Sequence, residues 1–340
     1  MCIFEKFIDQ RKPVFRRLSM IIVNLLTNSN QTKDSNHGSS KMKKYSPLFL
    51  AIFLFAIQSC AFKGVVREKN IPYIEADNSY ELPTKELNVF SPRKASNLPV
   101  LIFIHGGSWN KGRKEIYDFM GNRLARRDVV TVIIDYPLAP EYQVDDMEMA
   151  TVLAVDWVEE NISDFGGDPD QIFVSGHSAG GHLAALATIK KEPWETLQKL
   201  NPIKGAILND PAGLDWYWFL TVRKEKYDAE DNYDAFTDSP EVWKAYSPVY
   251  FLDENEVPLL LMEGEKTYPG IRLTLERFRE KAEENGVDLS YSFYPKTKHI
   301  PMVTQYFWTW SKGYDDVLNF IETQSEGSLR TNSSGVKTGK

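Results

Sequence analysis

The feature that most constrains this chain lies at its centre. Ile172-Phe173-Val174-Ser175 is followed by Gly176-His177-Ser178-Ala179-Gly180, then by Gly181-His182-Leu183-Ala184-Ala185-Leu186. The first stretch has the character of a buried strand and the last that of a helix, so the G-x-S-x-G between them must reverse the chain sharply. A serine at such a turn projects its hydroxyl, provided that no bulky side chain stands two residues to either side. Gly176 and Gly180 meet that condition. The helix that follows directs its N-terminus at the serine and favours negative charge beside it. Ser178 is therefore the candidate nucleophile, and a strand–turn–helix unit is fixed in the middle of the fold.

The flanking sequence repeats the alternation of strand and helix. LPVLIFI (98–104), VVTVII (129–134), GAIL (205–208), PLLLM (258–262) and LSYSFY (289–294) read, with residues 172–175, as buried strands. Continuous apolar runs suggest strands covered on both faces. Between them Met147, Ala150, Ala154, Trp157 and Val158 share one helical face. Ile271, Leu275, Phe278 and Ala282 share another, which Asn285-Gly286 closes. The expectation is an α/β fold, a mostly parallel sheet with helices on both sides. Residues 214–256 break the alternation and are rich in Trp, Tyr and Phe, as an inserted cap would be.

Composition excludes several other chemistries. The 340 residues are 42% hydrophobic with a formal charge of −7, enough apolar material for one sizeable core without the basic face of a nucleic-acid binder. Cys2 and Cys60 are the only cysteines, which rules out a disulfide framework and any cysteine-based metal site. His37, His105, His177, His182 and His299 contain no His-x-x-x-His pair, so a zinc-protease helix is not expected.

The N-terminus reads as an address. Met-Lys-Lys-Tyr-Ser-Pro from Met42 leads into the apolar run 48–57 and then Gln58-Ser59-Cys60. The run is shorter than the roughly 20 residues of a membrane span and matches a secretory signal. Ile57-Gln58-Ser59-Cys60 resembles a lipobox, which makes Cys60 a candidate for lipidation and points to the cell envelope, with ordinary secretion as the alternative. Residues 1–41 are expected to be a disordered leader or to follow a misassigned start. The folded body is expected over 61–324, and a disordered tail over 325–340.

Further motifs fall in a fixed order: His105-Gly106-Gly107-Ser108-Trp109, Asp135-Tyr136-Pro137-Leu138-Ala139-Pro140-Glu141, Phe165-Gly166-Gly167-Asp168-Pro169, and the serine turn. Glycines after a strand let backbone N–H groups approach a substrate oxygen, so Gly106, Gly107 and the Ala179 amide form a candidate oxyanion hole, with His105 bracing the loop. The set resembles the α/β-hydrolase esterases related to hormone-sensitive lipase, nearest the branch of bacterial carboxylesterases, feruloyl-esterase-like proteins and kynurenine formamidases. The resemblance implies hydrolysis of small esters or N-formyl amides, without a cofactor.

His299, after the last strand, stands where the chain order Ser, acid, His requires the base. His177 and His182 are too close to Ser178 along the chain and read as packing or lining residues. The acid is ambiguous. Glu263-Gly264-Glu265-Lys266-Thr267 occupies the stretch that in similar enzymes reads Gly-x-x-Asp, and Thr267 stands in the place of the aspartate. A hydroxyl there cannot stabilise imidazolium with a full charge. Glu265 is the favoured substitute, with Asp210, after the preceding strand, as the alternative. Trp109, Trp216 and Trp218 are candidate pocket residues. A small ester is the expected substrate, with a formamidase, or a degenerate binding scaffold on account of Thr267, as alternatives.

Overall fold

Two polar strands that no apolar run announces open the described chain, which in this computed structural model covers residues 64–223, 234–254 and 257–334. The candidate signal segment and Cys60 lie outside the described residues. β1 (Val65–Ile74) pairs antiparallel with β2 (Lys85–Pro92). β1 is a sheet edge with most side chains in water, which explains both its polar sequence and the tolerance of Pro72.

The remaining strands are β3 (Leu98–Ile104), β4 (Val130–Ile134), β5 (Gly167–His177), β6 (Ile203–Asn209), β7 (Leu259–Lys266) and β8 (Leu289–Lys298). Their order is β1-β2-β4-β3-β5-β6-β7-β8. β2 runs antiparallel to β4, and every later neighbour is parallel. The expected α/β-hydrolase architecture is thus present. One strand differs from expectation: β8 read as buried, but it is the other edge, and Tyr291 and Phe293 are exposed. An edge strand lacks a neighbour on one side, and helices cover it incompletely.

The apolar runs have the predicted cause. Along β3, Val100, Ile102 and Ile104 enter one core while Leu101 and Phe103 enter another on the opposite face. The helices are α1 (Asp118–Ala125), α2 (Val144–Asn161), α3 (Ala179–Ile189), α4 (Glu192–Leu197), α5 (Pro240–Ala245), α6 (Pro269–Glu284), α7 (His299–Thr304) and α8 (Lys312–Ser334). The first core takes Met147 and Val158 of α2, Leu183 of α3, and Leu275 and Phe278 of α6. The second takes Met120 of α1, Met302 of α7, and Val317 and Phe320 of α8. A strand with helices on both sides needs apolar residues at every position.

α6 starts with Pro269 at its first position and stops before Asn285, with Gly286 at φ +68 beyond it. That is the left-handed residue a helix end calls for. α8 runs through Ser334, past Ser325, where a disordered tail was expected. Extending a formed helix adds one hydrogen bond per residue without a new nucleation cost, so the apolar period can end before the helix does. The aromatic insertion lies between β6 and β7, as a helical turn Trp216–Trp218, π-helical Phe219–Arg223, α5, and the 3-10 segment Pro248–Glu254.

Candidate active site

The parallel strands deliver their C-terminal ends to one edge of the sheet, where open α/β folds build their sites. Ser178 caps α3 at φ +57, ψ −121, a conformation that L-residues seldom adopt. The glycines around it are sterically obligatory. A Cβ on Gly176 would stand 2.1 Å from the Gly180 carbonyl oxygen, and one on Gly180 would stand 2.1 Å from that of Ile104.

The loop after β3 lies against this turn. A Cβ on Gly106 would fall 2.7 Å from the His177 carbonyl oxygen and 3.2 Å from the Ser178 Cβ. Gly107 adopts φ +140, where a side chain would collide with the Lys111 carbonyl. The loop is braced from the motif after β4: Lys114 N–H donates to Asp135 Oδ1 at 2.7 Å, Lys114 Nζ to Asp135 Oδ2 at 3.0 Å, and the Tyr136 hydroxyl to the His105 carbonyl at 3.1 Å. His105 stacks on Tyr136 and is buried, which lowers its proton affinity. Gly106, Gly107 and Ala179 are thus brought beside the serine.

His299 opens α7 and reaches back across the strand ends. Ser178 Oγ lies 2.9 Å from His299 Nε2, and His299 Nδ1 lies 2.7 Å from Asp210 Oδ2. With a carboxylate at Nδ1, that nitrogen carries the proton and Nε2 is left to accept from the serine. The carboxylate is Asp210, not Glu265. Asp210 follows β6 directly and is fully buried. Glu265 instead accepts from the backbone N–H of Lys296. The correction has a simple origin: β6 neighbours both β5, which leads into the serine, and β7, so Asp210 lies under the histidine, whereas Glu265 points to Lys296 near the end of β8.

Two further histidines support the site without titrating in it. His177 Nε2 donates to the His299 carbonyl at 3.0 Å, and Asn209 Nδ2 donates to the Met302 carbonyl at 3.0 Å. Together they tie α7 to β5 and β6. Burial, with the His299 ring nearby, lowers the His177 pKa to about 3. His182 accepts from Trp109 Nε1 at 3.3 Å through Nδ1 and donates from Nε2 to the Tyr246 carbonyl at 2.7 Å, and burial lowers its pKa to about 4. It joins α3 to the insertion as a neutral imidazole. Sequence reasoning gave both histidines packing roles but did not see these partners, and it did not single out Asn209.

A cavity of about 1100 Å³ opens on Ser178 and His299. Trp109 and Trp216 line it together with Phe219, Ile271 and Phe307. Trp109 also belongs to the core, packing its ring 5.0 Å from Phe236. Trp218 does not line the cavity and carries the Arg277 guanidinium 4.4 Å from its ring. Two residues apart on a helical turn, Trp216 and Trp218 point about 200° apart. Among the described residues, no group of three or more His, Cys, Asp or Glu side chains could hold a metal ion.

The BD-FAE family model matches residues 87–268, more than half of the chain. The chain belongs to the BD-FAE family. It is an α/β-hydrolase and a carboxylic ester hydrolase. It is 25% identical over 311 residues to an isoprenylcysteine alpha-carbonyl methylesterase of Arabidopsis thaliana, an alignment covering 85% of this chain and 70% of that one. Matches to further plant proteins carrying that name span only 26–28% of those proteins. It is 29% identical to the esterase LipQ of Mycobacterium tuberculosis, over 59% of this chain and 50% of that one. Among solved structures, esterase B of Lactobacillus Rhamnosis superposes with a TM-score of 0.65 at 18% identity, covering 85% of this chain and 97% of the other. At that identity it supports the fold.

Proposed function

We propose that the protein hydrolyses carboxylic esters through an acyl-enzyme on Ser178. The observation that carries the reading is the unbroken relay from Ser178 Oγ to His299 and from His299 to the buried Asp210 carboxylate. In the first half-reaction the serine oxygen attacks the ester carbonyl while His299 Nε2 takes its proton. The negative oxygen of the tetrahedral intermediate accepts from the Gly107 and Ala179 amides, with Gly106 providing the clearance. His299 then returns the proton to the departing alcohol. Water repeats the sequence on the acyl-enzyme, and Asp210 holds the imidazole tautomer and stabilises imidazolium each time.

The lining of the cavity favours esters with sizeable hydrocarbon groups, held by Trp216, Phe219, Ile271 and Phe307. An N-formyl amide would use the same residues, but nothing in the lining selects for a formyl group. The scaffold alternative rested on Thr267 in the acid position, and Asp210 on the histidine removes that ground. We also propose that Cys60 is lipidated and holds the enzyme at the cell envelope. Labelling with a tagged fatty acid, present in the parent and lost in Cys60→Ser, tests this, and equal labelling of the two rejects it.

The catalytic assignment is tested with p-nitrophenyl esters and a fluorophosphonate probe. Parent protein should turn over and label, and Ser178→Ala should do neither, with turnover down by at least about 10⁴-fold. Equal turnover in folded parent and mutant would remove Ser178 as nucleophile.

A further inference from the structure

Thr267 sits closer to the relay than a bystander would. Its Oγ1 donates to Asp210 Oδ2 at 2.6 Å, the same carboxylate oxygen that accepts from His299 Nδ1 at 2.7 Å. The hydroxyl oxygen is itself 3.4 Å from His299 Nδ1. The other carboxylate oxygen, Oδ1, accepts from the Gly264 N–H at 3.1 Å, and the Asp210 N–H donates to the Met262 carbonyl at 2.8 Å. Asp210 is thus borne on β6 but gripped almost entirely by β7 and the turn that follows it. That turn is closed by the Thr267 N–H donating to the Gly264 carbonyl at 3.0 Å. Asp210 itself is at φ +47 and fully buried, so without these partners nothing would fix the plane of its carboxylate.

We propose that Thr267 is a positioning residue for the catalytic carboxylate, and that positions 210 and 267 are interchangeable seats for it beside His299 Nδ1. The inference rests on the reading of Asp210 as the acid. Three physical consequences follow. The Thr267 proton occupies one lone pair of Oδ2 and leaves the other aimed at His299, so the imidazole is held in one plane. The hydroxyl shares the space beside Nδ1, which excludes water from the Asp210–His299 bond. A carboxylate carried by residue 267 would start from the position of Oγ1, near enough to Nδ1 to replace Asp210. If residue 210 were then Asn, its Oδ1 would still accept from Gly264, and its Nδ2 would donate to the new carboxylate. Donor and acceptor simply change places across the pair.

The test measures kcat, KM and pH profiles on p-nitrophenyl acetate for the parent and for Thr267→Val, Thr267→Ser, Asp210→Asn and the double variant Asp210→Asn/Thr267→Asp, with melting temperatures alongside. Thr267→Val should lower kcat by about 10- to 100-fold with KM nearly unchanged, and the acid limb of the kcat/KM profile should move to higher pH. Thr267→Ser, which keeps the hydroxyl, should restore both. Asp210→Asn should fall by about 10³- to 10⁴-fold, and the double variant should recover at least about 10-fold of that. If Asp210→Asn matched the parent, the acid assignment itself would be wrong and this inference would fall with it. If Asp210→Asn were impaired while folded Thr267→Val kept the parent's kcat and profile, or the double variant gained nothing, only the positioning role and the second seat would be overturned.

Discussion

The protein should lose stability in mild acid through His182, by an amount that follows from its burial. The imidazole is fully buried between Trp109, which donates to Nδ1, and the Tyr246 carbonyl, which accepts from Nε2. Adding a proton at Nδ1 would abolish the tryptophan bond and charge a ring in an apolar setting. The folded form therefore resists protonation until about pH 4, whereas an unfolded histidine takes its proton near 6.5. With the folded pKa below the unfolded one, the contribution is present above 6.5 and is lost as pH falls toward the folded value. Between pH 7 and pH 4.5 the loss from this one side chain is about 2 kcal/mol. For a domain of this size that is roughly 5–10 °C in Tm. Other groups also titrate in this range, so the decisive quantity is a difference. Urea unfolding of the parent and of His182→Gln at both pH values should show the gap between them narrowing by about 2 kcal/mol in acid. The substitution will destabilise at neutral pH, but the narrowing does not depend on that. A gap that stays constant to within about 0.5 kcal/mol would refute the linkage.

Other outcomes follow from the same geometry. Gly180→Ala should cost about 3 kcal/mol or more and abolish probe labelling, because its Cβ would overlap the Ile104 carbonyl oxygen; a variant with parental Tm and labelling would contradict the elbow geometry. Glu265→Gln should leave kcat within about 2-fold of the parent, since its carboxylate accepts from the Lys296 N–H near the end of β8 and not from His299; a fall of two orders of magnitude would reinstate it as the acid. Lys190→Met should destabilise by about 3 kcal/mol, because it strands the buried Glu148 carboxylate that Lys190 holds at 2.9 Å. Adding Glu148→Leu should return most of that loss in urea unfolding, and a merely additive double variant would count against the buried pair.

Much of the candidate active site is legible in the chain because it is local. The Gly176–Gly180 turn, the Gly106-Gly107 loop and the Asn285-Gly286 stop each place special residues within a few positions of one another, where backbone sterics alone dictate what fits. The central strands are legible for a related reason: residues such as Leu101 and Ile102 must be apolar when helices cover both faces. β1 left no such mark, since an edge strand in water needs no apolar run, and β8 carried an apolar pattern that its edge position leaves half exposed. The direction in which Trp216 and Trp218 face depends on the turn that carries them, which no composition of the insertion specifies.

What the chain alone determined, then, was the turn that carries the candidate nucleophile, the glycine loop beside it, the late histidine and the class of fold. The choice between Asp210 and Glu265 belonged to the tertiary structure. Both are carboxylates at the ends of neighbouring strands, and along the chain Glu265 is much the nearer to His299. Sequence distance carries no weight once the sheet forms: parallel strands bring residues 178, 210, 267 and 299 to one edge, and lateral order decides which groups meet. Asp210 directly follows the strand next to the one that leads into the serine, with its carboxylate buried under His299 and bound by Thr267 and Gly264. Glu265, on the next strand, reaches a backbone N–H instead.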